Sequence, residues 1–244
     1  MTEQTRTRRW LRYGAAALLC QALAACGSAE APPESTKERA SKAAVAEVPA
    51  PIPANAPLVI AFGDSLYAGY QLGPTEGLAP QLQAALVAAG SPARVQNAGV
   101  SGDTTAAGRA RLTFVLDNAP AKPALVVLGL GGNDMLRGIG AAETRANLTA
   151  MMDELKRRDI PVVLTGMLAA PNLGADYGRA FNSIFTDLAK RYDAALYPFI
   201  LAGVLDQPKL MLPDGIHPTA DGVTVMAKGI APLVAERLPD DPAG

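Results

Sequence analysis

Cysteine and histidine are nearly absent from this 244-residue chain, which holds two cysteines and one histidine, His217. Both cysteines, Cys20 and Cys26, lie close to the N-terminus. The body that follows therefore has no disulfide and no thiol nucleophile. One histidine excludes a His-cluster metal site. It also leaves a single default candidate for any base that works near neutral pH. Aromatics make up only 5% of the chain, so a core must be built from Ala, Val, Leu and Ile. An excess of one charge is lacking too: 22 basic residues face 23 acidic ones, for a net charge of -1. No basic surface for tracking nucleic acid is evident. What is present is 49% hydrophobic residues, too many for a disordered chain. That content suits one globular domain, or one domain plus appendages.

The N-terminus reads as an address. Arg6, Arg8, Arg9 and Arg12 stand against Glu3, and residues 13–25 form an apolar run ending in small residues. As a helix that run spans about 20 Å, short of a ~30 Å bilayer core. A basic start, a short apolar middle and a small-residue end are the pattern of an export signal. Leu23-Ala24-Ala25-Cys26 resembles the lipobox of bacterial lipoproteins. The resemblance implies cleavage before Cys26, lipidation of Cys26, and a protein tethered facing the periplasm. Gly27 is not the Asp that retains such proteins in the inner membrane, which gives outer-membrane placement a slight preference. The alternative is cleavage at an Ala-x-Ala-like site, yielding a soluble periplasmic or secreted protein. Loss of residues 1–25 leaves 18 basic and 22 acidic residues, a net of -4. Residues 26–57 carry six Pro and nine Ala with no apolar periodicity, so they read as a linker. A short helix near 36–46 is compatible with that composition. Residues 239–244 read as a tail.

From 58 to 238 the chain alternates strand-like and helix-like stretches. Strands are expected at 58–62, 94–99, 124–130, 161–167 and 194–199. Helices are expected at about 77–89, 104–117 and 143–158, around Phe181, Ile184, Phe185 and Leu188, and after Thr219. Leu148, Met151, Met152 and Leu155 follow the i, i+3, i+4, i+7 spacing. This rhythm implies an α/β domain: a parallel sheet covered on both faces. Ligands in such sheets bind at the carboxyl ends of the strands. Directly after the expected strands stand Gly63-Asp64-Ser65-Leu66, Gly99–Asp103 and Gly131-Gly132-Asn133-Asp134. The segment after the last strand leads to Asp214-Gly215-Ile216-His217.

Nucleotide motifs do not account for these residues. GLGGND misses G-x-G-x-x-G because Asp134 holds the last position, and no P-loop is present. The G-x-S-x-G elbow is absent because Tyr67 replaces its final Gly. A serine at a strand end is a weak nucleophile that needs a base, and His217 is the only histidine that can serve. Asp214, three residues earlier, could hold the ring and stabilise the imidazolium. Each residue also has a plain alternative. Ser65 could cap a helix, His217 could pack before Pro218, and Asp214 could form a turn.

The four blocks GDSL (63–66), the Gly of VSGDT (102), G-x-N-D (131–134) and DGIHP (214–218) resemble the GDSL or SGNH hydrolase superfamily. Their order and spacing match across about 58–238. NAGVSGDTTAAGRARL, ADYGRAFNSIFTDLAKRYD and DGIHPTADG are similar to the acyl-CoA thioesterase I, lysophospholipase and arylesterase branch. The resemblance implies a three-layer α/β/α sandwich with a five-stranded parallel sheet, flavodoxin-like, the SGNH hydrolase fold. It implies Ser65 as nucleophile, His217 as base and then acid, and Asp214 as its orienting partner. The oxyanion donors it implies are the backbone N–H groups of Ser65 and Gly102 and the side-chain amide of Asn133. Asp64 and Asp134 read as structural. Leu78 stands where many relatives carry Trp, and the loop 167–178 resembles a substrate-facing loop. Both bear on acyl-chain preference.

The expected function is thus an exported serine esterase acting on small-molecule ester or lipid substrates, with no metal, no cofactor, no nucleic acid and no obligate protein partner. The alternatives are a carbohydrate O-acetyl esterase using the same residues, and a non-catalytic lipid- or glycan-binding module.

Overall fold

Two apolar strands organise the domain. β1 (Leu58–Gly63) and β3 (Leu125–Gly129) are buried along their whole length. The computed structural model describes residues 52–53 and 55–239. The expected export signal, Cys26, most of the expected linker, including the stretch 36–46 compatible with a short helix, and residues 240–244 lie outside the described residues. β2 (Arg94–Gly99), β4 (Val162–Thr165) and β5 (Ala195–Tyr197) complete a five-stranded sheet in the order β2-β1-β3-β4-β5, with every pairing parallel. This is the doubly wound, flavodoxin-like order.

Side chains alternate across the sheet with period two. Val59, Ala61, Leu125 and Val127 face one layer, α2 (Leu78–Ala88) and α7 (Ala220–Ala235). Leu58, Ile60, Phe62, Val126 and Leu128 face the other, α3 (Thr105–Asp117), α5 (Ala141–Arg157) and α6 (Ala175–Tyr192). A sheet buried on both faces needs near-continuous apolar strands, and β1, β3 and β4 have them. β2 is at the edge and only half-buried, so it tolerates Arg94, Gln96 and Asn97.

The helices expected between 58 and 238 are present with ends shifted by one or two residues. Two single-turn helices, α1 (Ser65–Ala68) and α4 (Gly132–Leu136), were not anticipated as separate elements. Each starts directly beyond a central strand.

Candidate active site

Three strands end at one level. Gly63 of β1 pairs in register with Gly99 of β2 on one side and Gly129 of β3 on the other. A Cβ on any of the three would run into Tyr67. The glycine row is therefore a slot in which the Tyr67 ring lies, with its hydroxyl 2.8 Å from Thr165 Oγ1. Seating Tyr67 sets α1 down on the strand ends and brings Ser65 to the rim. The cap of α1 is Asp64, whose Oδ1 accepts from the Leu66 N–H at 3.0 Å, so Ser65 has no capping duty.

His217 arrives from the opposite end of the chain. It rides on a loop closed by backbone bonds from Leu212 N–H to the His217 carbonyl and from Thr219 N–H to the Leu210 carbonyl, at 2.7 and 2.8 Å. Thr219 then caps α7 by accepting from Gly222 N–H. The ring bonds on both nitrogens: Nδ1 lies 2.7 Å from Asp214 Oδ2, and Nε2 lies 2.8 Å from Ser65 Oγ. Asp214 Oδ1 accepts from the N–H groups of Ile216 and His217 at 2.9 and 3.0 Å. The His217 N–H, the imidazole and the Ile216 N–H hold the Asp214 carboxyl down at about 2. An ionised carboxylate can only accept, so Nδ1 carries the ring proton. Nε2 then presents its lone pair to the Ser65 hydroxyl. Asp214 is thus a turn former and a ring holder at once.

Gly102 lies in the loop after β2 and Asn133 in the first turn of α4, just beyond β3; β2 and β3 are the two strands that flank β1. Gly102 has a φ of 85°, a conformation that favours glycine, and its carbonyl accepts from Arg137 Nη2 at 2.8 Å. Asn133 Nδ2 donates to the Asp103 carbonyl at 3.0 Å, and an amide nitrogen has a second proton to give. With the Ser65 N–H, these are non-titrating donors issuing from three adjacent strand ends. Such a set can hold a developing oxyanion.

Asp134 is buried beneath. It accepts from Thr105 N–H and Oγ1 at 2.8 and 2.5 Å and from Thr144 Oγ1 at 3.1 Å, so it staples α4 to the starts of α3 and α5. Asp64 is 4% exposed, and burial pushes its carboxyl up to about 6. Both behave as structural groups, as expected.

Two neighbours escaped the sequence reading. Tyr70 lies against His217, with ring centroids 4.2 Å apart at a tilt of 31°. Arg111 reaches from α3 to the strand ends. An aromatic after a strand-end serine and an arginine on a solvent-patterned helix carry no distinctive signal. Among the described residues no cluster of His, Cys, Asp and Glu has metal-binding geometry.

Residues 61–225 match the GDSL-like Lipase/Acylhydrolase family. The chain is 41% identical over 185 residues to "Esterase TesA" of Pseudomonas aeruginosa, covering 76% of this chain and 91% of that one. It is 35% identical over 185 residues to "Thioesterase 1/protease 1/lysophospholipase L1" of Escherichia coli K12, covering 74% and 86%. Among solved structures, the SGNH-hydrolase family esterase AlinE4 superposes with a TM-score of 0.64 at 51% identity, covering 75% and 97%. The chain belongs to the GDSL-like lipase/acylhydrolase family and is a carboxylic ester hydrolase on the SGNH-hydrolase fold.

Proposed function

We propose that this protein is an exported serine esterase that hydrolyses carboxylic esters through an acyl intermediate on Ser65. The observation that carries the reading is the relay from Ser65 Oγ through both His217 nitrogens to Asp214, at 2.8 and 2.7 Å. In the first half-reaction Ser65 Oγ bonds to the ester carbonyl carbon and its proton passes to His217 Nε2. The carbonyl oxygen becomes an oxyanion facing the N–H groups of Ser65 and Gly102 and the Asn133 amide. The alkoxy bond breaks, and the leaving oxygen takes the proton from His217. In the second half-reaction water attacks the acyl-serine, His217 takes the water's proton, and it returns that proton to Ser65 as the carboxylic acid departs. Asp214 keeps the ring in the tautomer that both halves need.

Aryl and short- to medium-chain alkyl esters are the proposed substrates, with lysophospholipids and thioesters within the site's capability. A glycan O-acetyl esterase would use the same relay. The rim argues for acyl and aryl groups: Val100, Leu168 and Ile216 on loops beyond the strand ends, and Leu136 at the end of α4, are all exposed. Export and a lipid anchor on Cys26 are supported by the N-terminal pattern of arginines, apolar run and Leu-Ala-Ala-Cys.

Ser65→Ala should lower turnover of p-nitrophenyl butyrate by at least ~10⁴-fold while the protein stays folded. A fluorophosphonate probe should add one adduct, read by intact mass and lost in Ser65→Ala. Undiminished turnover in the purified variant, or no adduct on the parent, removes Ser65 as nucleophile.

A further inference from the structure

We propose that Arg111 is a positioning residue that sets the geometry of the oxyanion-binding donors, an assignment that rests on the serine-esterase reading above. Its guanidinium forks between two segments of the site. Nη2 donates to the Gly63 carbonyl at 2.9 Å, and Nε donates to Asp103 Oδ2 at 2.6 Å. The plane is steadied by the Phe62 ring, with Cζ 3.9 Å from the ring centroid. Gly63 is two residues before Ser65, and Asp103 directly follows Gly102. The backbone carbonyl of that same Asp103 receives the Asn133 amide at 3.0 Å. One side chain thus braces the peptide just before that of the nucleophile, the loop of the second donor and, through Asp103, the amide of the third.

Among the described residues no other side chain hydrogen-bonds to both the Gly63 carbonyl and the Asp103 carboxylate. The Gly63 carbonyl also accepts from Val100 N–H at 3.0 Å, a bond confined to the β1–β2 edge. Arg137 holds the Gly102 carbonyl but is exposed and hydrogen-bonds to neither Gly63 nor Asp103. α3 itself is fixed at its start by Asp134 and by Thr104, which accepts from Ala107 N–H. The arginine therefore projects from a rigid support. A planar fork suits this task and an ammonium does not, because lysine offers a point charge with no fixed second arm. Donors displaced by a fraction of an ångström still bind the ground-state ester. They lose grip on the oxyanion, so the loss should fall on kcat.

The test uses the full chain and p-nitrophenyl butyrate. Arg111→Lys keeps a cation opposite Asp103 but gives up the fork. Arg111→Met/Asp103→Asn removes the buried charge together with its partner, so the comparison survives if an unpaired Asp103 would unfold the chain. Both should lower kcat about 10- to 100-fold with KM within about twofold. Combined with Asn133→Ala, the Arg111→Lys loss should shrink to less than about threefold, because the two act on one oxyanion. A parent activity that survives Ser65→Ala overturns the underlying reading. Ser65-dependent activity overturns the Arg111 assignment alone under any of three results: both variants retain kcat within twofold, the loss lies only in KM, or the losses multiply fully with Asn133→Ala.

Discussion

Asp64 shows how a residue beside the chemistry can serve the fold and oppose it at once. Its carboxylate caps α1 through the Leu66 N–H, yet it is buried, with His217, Asp103 and Tyr67 nearby. Burial outweighs the favourable Leu66 bond and the His217 attraction and lifts the carboxyl to about 6 from 3.8. Between those values the folded protein keeps a proton that the unfolded chain has lost, so stability declines as pH rises from about 4 to 6. Above pH 6 the cost is constant, at most about 3 kcal/mol. Asp64→Asn keeps an oxygen for the Leu66 N–H and removes the charge. The difference in Tm, variant minus parent, should therefore grow more positive by several degrees between pH 4 and pH 7. Thermal melts across that range decide it, and a pH-independent difference would falsify the account. The site's other residues were legible to different degrees. His217 was found by counting, Ser65 by its place after a strand, and Asp214 by its spacing from His217. That Ser65 and His217 meet across 152 positions is a product of tertiary register, invisible to local pattern. Arg111 was illegible for the same reason, since its partners are a backbone carbonyl and a loop carboxylate delivered by other strands.

At the scale of elements, the position of Ser65 depends on α1 lying flat on the ends of β1, β2 and β3. The slot of Gly63, Gly99 and Gly129 makes that approach available. A methyl group at Gly129 would overlap the Tyr67 hydroxyl and Thr165 Oγ1 and sit 2.6 Å from Tyr67 Cε2. Gly129→Ala should then cost about 1–3 kcal/mol by overpacking, a Tm drop of roughly 2–12 °C. It should also lower kcat, because Ser65 moves with α1. Gly178→Ala is the matched control: it lies inside α6 with open space where a Cβ would be. It should gain up to about 1 kcal/mol from helix propensity and leave turnover unchanged. Scanning calorimetry with paired kinetics separates the two, and equal behaviour would remove the slot as a determinant. The strands β1, β3 and β4 were legible because burial on both faces demands unbroken apolar runs. β2 showed only weakly because one edge meets solvent. Strand order was not carried by periodicity, which reports a strand's burial and not its neighbour. α1 and α4 went unread because one turn of helix is too short for an apolar repeat, and their existence depends on caps and glycines.

For the whole molecule, the distribution of charge bears on where the enzyme works. Residues 1–25 hold four arginines and one glutamate, and the remainder carries a net of -4. A body of that sign is repelled by anionic lipid, so its own surface gives it no reason to stay at a membrane. Covalent lipid on Cys26 would then be the sole attachment, and hydrophobic insertion is insensitive to screening. The full chain expressed in a bacterium should sediment with membranes and remain there in 1 M salt, which collapses the Debye length to about 3 Å. Cys26→Ser should move the protein to the soluble fraction. Its kcat/KM on p-nitrophenyl butyrate should stay within about twofold of the parent, because Ser65, Gly102, Asn133, Asp214 and His217 all belong to the domain that begins at β1. Fractionation with intact-mass analysis at Cys26 gives the answer. A parent found soluble, or stripped from membranes by salt, would overturn the lipid anchor on Cys26.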